Sequence, residues 1–135
     1  HIRPDIQKWS GSPILILHGD ADDWTPLNLV EGLMPQLPNA TLHVYPGAHH
    51  SFDSEKEFTL LPKAVRLRKR TARIDKNGYM SGKLFLGIRL PLNERWQRRW
   101  VIRILRNRGA HVEGNPTARA DSLGRAREFF MQQLC

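Results

Sequence analysis

Apolar residues gather in short runs between turn-forming residues, and the spacing inside the runs changes along the chain. "PILILH", residues 13–18, is a continuous aliphatic run bounded by Gly11 and Gly19, the pattern of a strand buried on both faces. "ATLHVYP", residues 40–46, predicts a second strand. Between them Leu27, Val30, Leu33, Met34 and Leu37 recur at helical spacing, with Thr25 placed to cap a helix and Pro26 suited to its first position. Pro35 leaves the end of that helix open. Strand, helix and strand in so short a stretch predict a βαβ unit, whose crossover is right-handed and whose strands run parallel.

Beyond residue 60 the pattern is different. "RIDKNGYMSGKLFLGIRL", residues 73–90, sets Asn77-Gly78 between two strand-like runs, with Leu84, Leu86, Ile88 and Leu90 alternating onto one face. That is the signal of a tight β-hairpin. Asn93 is placed to cap a helix over 94–108 that Gly109 closes, with Trp96, Trp100, Val101, Ile104 and Leu105 on one side as packing residues. Asn115-Pro116 opens a last helix, in which Leu123, Ala126, Phe130 and Leu134 recur at helical spacing and are expected to pack on the sheet. The fold class is therefore α/β: a parallel sheet with flanking helices, plus a hairpin and helix inserted at 62–108.

Charge sharpens this division. The 135 residues suit one domain, and the net charge of +8 would ordinarily point to an anionic partner. Residues 62–108, however, hold 15 Lys and Arg against Asp75 and Glu94 alone, while the remainder is acidic by 11 residues to 6. The charge belongs to the insertion, so no specific nucleic-acid partner is predicted for the protein as a whole. Cys135, the single cysteine, is terminal, which excludes an intramolecular disulfide and a multi-cysteine metal site. No apolar run is long enough to span a bilayer. The chain opens with His1 in place of Met, which reads as a piece of a longer polypeptide and leaves the compartment open.

Two loops carry the chemistry. "HGDADDWTP" leaves the first strand and "GAHHSFD" the second. Parallel neighbours end on one edge of the sheet, where α/β proteins bind ligands, so Asp22 and His50 are expected to meet there. A carboxylate that accepts the Nδ1 proton of a histidine leaves Nε2 as a base, two-thirds of a catalytic triad. Asp23 is the main rival to Asp22, since all three aspartates of the loop also suit turn formation and capping. His18 and His49 read as packed, hydrogen-bonded residues, and Trp24 and Phe52 as apolar walls. A metal held by His18, Asp20, Asp22, His49 and His50 is the weaker alternative, because no recognised ligand spacing supports it.

"PILILHGDADDWTP" followed by "LHVYPGAHHSFD" resembles the closing part of the dienelactone hydrolase family of α/β-hydrolases, and "GNPTARADSLGRAREFF" is similar to that family's last helix. The resemblance covers residues 13–53 and 109–134. It implies that the chain is the carboxyl-terminal part of one α/β-hydrolase domain, with 62–108 as a basic insertion. It also implies that Asp22 is the triad acid, that His50 in "HSF" is the triad base, and that no cofactor is needed. Family members carry Ser or Cys in a GxSxG or GxCxG elbow upstream of the acid, and neither pattern occurs in this chain. Ser10, Ser12 and Ser81 lack the flanking glycines. The expectation is a piece lacking its nucleophile and oxyanion hole. The best-known members have an arginine four residues after the catalytic histidine, where this chain has Ser54. The implied substrate is then a small carboxylic ester, thioester or lactone rather than dienelactone. A second function class stays open: a non-catalytic module whose basic segment engages an anionic partner.

Overall fold

The computed structural model describes residues 11–67, 71–75, 79–92 and 94–134. Ser10, the Asn77-Gly78 turn, the Asn93 cap and Cys135 lie outside them. The described chain is a mixed α/β arrangement of three helices and three small sheets. Strand β1 (Ile14–Gly19) pairs in parallel with β2 (Ala40–Tyr45), in register from Ile14 opposite Ala40 to Gly19 opposite Tyr45. Helix α1 (Leu27–Leu33) connects them and continues as a 3-10 turn, Met34–Gln36. Pro35 explains the early end, since its ring cannot continue an α-helix. Pro26 rather than Thr25 is the N-cap residue, and no side chain caps the helix. The Thr25 hydroxyl is engaged elsewhere. β1 is not the doubly buried strand its apolar run predicts, because only Gly19 is buried. Among the described residues it has one sheet neighbour, β2.

The basic segment departs further from expectation. β3 (Thr59–Leu67) pairs antiparallel with β7 (Arg106–Val112), with an irregularity between Leu61 and Val65. β4 (Ala72–Ile74), β5 (Met80–Lys83) and β6 (Arg89–Pro91) form an antiparallel sheet. β4 and β5 are the hairpin arms. The run 84–90 is not one strand: a 3-10 turn at Phe85–Gly87 interrupts it, with Leu86 at φ 56. Helix α2 (Arg95–Leu105) is shorter than the predicted 94–108, since Arg106–Gly109 belongs to β7. The ladder hydrogen bonds with β3 replace the helical ones. Of the five apolar residues assigned to its packing face, Val101 and Leu105 are buried, while Trp96, Trp100 and Ile104 are exposed.

Helix α3 (Pro116–Leu134) is opened by Asn115, whose Oδ1 accepts the Ala118 N–H at 3.0 Å. Its buried residues are Ala118 and Ser122, and Leu123, Phe130 and Leu134 are exposed. The predicted stripe is therefore off by about one position, because small side chains, and not the large ones, let the helix approach the sheet.

Two small cores result. Tyr45, Ala48 and Ala118 pack with Leu17 and Phe52 beneath the β1–β2 pair. Leu92, Val101 and Leu105 pack with Met80 and Leu84 inside the insertion. Gly82 is required there, since a Cβ would lie 2.6 Å from Val101 Cγ1 and 2.8 Å from Leu105 Cδ1. The insertion is tied to the βαβ unit through α1: Asn28 Nδ2 donates to Ala72 O at 2.9 Å, and Gln36 Nε2 to Asp75 O at 3.0 Å.

Candidate active site

The two loops meet because β1 and β2 end level with one another and because Gly19 allows a close approach. A Cβ on Gly19 would sit 2.1 Å from the Ala48 carbonyl oxygen, an impossible contact, and the same oxygen accepts the Ala21 N–H at 3.1 Å. Asp20 Oδ1 accepts the Gly47 N–H at 2.7 Å. The loops are thus joined at residues 19–21, immediately before Asp22.

Asp22 is 6% exposed, so its carboxylate needs partners, and it has four. Oδ1 accepts the backbone N–H groups of Trp24 and Thr25, each at 2.8 Å. Oδ2 accepts the Thr25 hydroxyl at 2.6 Å and lies 2.8 Å from His50 Nδ1. An ionised carboxylate only accepts hydrogen bonds, so Nδ1 is the donor and Nε2 is left as the basic nitrogen of neutral imidazole. The Trp24 ring lies against the imidazole at 4.8 Å between centroids. Ser51, which follows His50, has φ 62. A non-glycine residue in this left-handed region costs about 1–2 kcal/mol, which the surrounding contacts must offset.

Those contacts come from the far end of the chain. Val112 bridges His50, the Glu113 N–H donates to the His50 carbonyl at 3.1 Å, and the Asn115 N–H donates to Phe52 O at 2.8 Å. Asp23 faces this segment and not His50. Its Oδ1 accepts the His111 N–H at 2.9 Å, and Oδ2 lies 2.9 Å from His111 Nδ1 and 3.6 Å from Arg66. Burial raises the Asp23 carboxyl's affinity for its proton, but the two His111 hydrogen bonds and the Arg66 charge outweigh this and hold its pKa below the ordinary value. Adjacent aspartates therefore hold different histidines. His111 and the Thr25 hydroxyl have no signal in the local sequence; Asp23 and His111 are 88 residues apart.

The remaining loop residues do not converge. His18 Nδ1 lies 2.8 Å from the Gly19 carbonyl. His49 turns to Phe58 and Glu113, its Nδ1 enclosed with no hydrogen-bond partner among the described residues. No three His, Cys, Asp or Glu side chains among the described residues are grouped to hold a metal. Ser12 lies before β1, at the strand end away from Asp22, and Ser81 lies in β5 near Arg89.

A cleft of about 410 Å³ opens beside the pair, lined by Leu17, His18, Phe52, Asp53 and the Ser122 face of α3 together with Asp22 and His50. No Lys or Arg among the described residues lines it.

A sequence model described as the Dienelactone hydrolase family matches residues 3–76, more than half of the chain and inclusive of both loops. The chain belongs to this hydrolase family. The match lies in the amino-terminal part of the chain and does not reach 109–134, so only the first of the two stretches that carry the resemblance falls within it. No curated protein and no solved structure matches the chain. No helix among the described residues is long and apolar enough to cross a membrane.

Proposed function

We propose that the chain supplies the acid and the base of a dienelactone-hydrolase-like carboxylic ester or lactone hydrolase, Asp22 orienting His50. The reading takes β1 and β2 as parallel strands of a hydrolase sheet, residues 1–135 as the carboxyl-terminal part of that domain, and 62–108 as its insertion. The observation that carries it is the 2.8 Å contact between Asp22 Oδ2 and His50 Nδ1 at the shared end of parallel strands, in a chain of this family. His50 Nε2 would take the proton of a Ser or Cys from outside this chain as that atom attacks the substrate carbonyl carbon. The imidazolium, stabilised by Asp22, returns the proton to the departing alkoxide; water then repeats the sequence and releases the acid. No step needs a metal or cofactor. The cleft's lack of Lys or Arg among the described residues favours an uncharged ester or lactone over an anionic substrate such as dienelactone.

The experiment is complementation. The chain is co-expressed with the amino-terminal half of a family member that carries the GxSxG or GxCxG elbow, and hydrolysis of p-nitrophenyl acetate and of an uncharged lactone is followed. Turnover is expected only with both pieces, falling on the order of 10⁴-fold in Asp22→Asn or His50→Ala. A complex that stays active without His50 would remove the proposed role.

A further inference from the structure

The apolar row of α2 has no partner among the described residues. Val101 and Leu105 fix the helix on the β5–β6 hairpin, which turns Trp96, Trp100 and Ile104, at successive i, i+4 positions, into solvent at 64%, 66% and 46% exposure. The adjacent row of the same helix is Arg95, Arg99 and Arg103, all exposed. No carboxylate among the described residues pairs with these arginines. The β5–β6 turn repeats the theme: Leu86 is held at φ 56 with its side chain 98% exposed, between exposed Lys83 and Arg89. Large apolar side chains held in water beside unpaired cations are costly in a free surface.

We propose that this face docks on an anionic phospholipid surface, α2 lying in the interface with its tryptophans at the boundary between headgroups and acyl chains and its arginines on the phosphates. Tryptophan and arginine in neighbouring helical rows are the composition of interfacial helices. Aliphatic Ile104 in the row favours lipid over nucleic acid, because bases stack on aromatic rings and gain little from branched aliphatic groups. The absence of acidic residues from the face, among the described residues, matches the negative potential of anionic bilayers. The inference is independent of the hydrolase reading and would hold for a chain with no turnover.

The full chain is titrated with vesicles of phosphatidylcholine containing phosphatidylglycerol and with vesicles of phosphatidylcholine alone, following co-sedimentation and tryptophan emission. Binding and a blue shift are expected with the anionic vesicles, weakening as salt rises. Charge reversal in Arg95→Glu, Arg99→Glu, Arg103→Glu together should weaken binding by a hundredfold or so, whereas Arg127→Glu on α3 should leave it unchanged. Trp96→Ala with Trp100→Ala removes only exposed side chains, keeps the circular dichroism of the parent, and should lose the tight component. Equal binding to neutral vesicles, binding to a single-stranded oligonucleotide without vesicle binding, or undiminished binding of either multiple variant overturns the proposal.

Discussion

In the loops after β1 and β2 almost every polar group is matched: Asp20 holds Gly47, Asp22 holds Trp24, Thr25 and His50, and Asp23 holds His111 and Arg66. In the described part of the segment 62–108 the balance shifts, with Arg95, Arg99 and Arg103 turned to solvent. Its buried apolar residues are Ala72, Ile74, Leu92, Val101 and Leu105, and much of its remaining apolar surface and positive charge faces water. A region of saturated hydrogen bonds holds one geometry, because each broken bond would leave a buried group unsatisfied. The comparison teaches that the charge which dominates the composition says little about the site, whose residues lie in the acidic remainder.

The comparison breaks most sharply at Gly19. Gly19→Val would force the Ala48 carbonyl away and, because the clash is with backbone, should cost about 3 kcal/mol by overpacking, read by urea unfolding, while parting the loops. Loss of the low-field Nδ1 proton resonance of His50 would report the parting. If that resonance survives at full intensity, the close approach is not what brings the pair together.

A smaller effect, about 2 kcal/mol, is expected for Val101→Ala at the centre of the insertion's core. Amide hydrogen exchange should then quicken across 80–105 and stay slow in β1 and β2. Equal quickening in both would show a single cooperative unit and erase the distinction between the regions.

The smallest effect concerns acid. The Asp23 pKa is held below its ordinary value of 3.8, so the stability it contributes is present above that value and is lost as pH falls through the depressed one. Asp23→Asn should flatten the stability profile in that window, measured by thermal unfolding across the acid range. An unchanged profile would mean that the link between the acid loop and His111 contributes nothing.

Local sequence carried much of the βαβ unit. The runs 13–18 and 40–46 lie within a residue or two of β1 and β2, and the helical spacing between them marks α1, because each element is specified by residues adjacent in the chain. The two loops were legible as a place where acid and imidazole could meet for the same reason. The insertion was less legible. Arg106–Gly109 continues a helical pattern but lies in β7, since the ladder with β3 depends on residues about 40 positions away. Trp96, Trp100 and Ile104 read as packing because periodicity shows that a face exists, without showing which face finds a neighbour.

The sequence by itself determined the parallel pair, the loops at its ends, the family and the uneven charge, all of which rest on short-range pattern. Only the tertiary structure decided which aspartate takes which histidine. Asp22 and Asp23 are chemically identical neighbours, and their backbone directions at the strand end turn one toward His50 and the other toward a strand that returns 88 residues later. It also decided which row of α2 is buried, because Gly82 leaves room for Val101 and Leu105 and, among the described residues, nothing comparable receives the tryptophans.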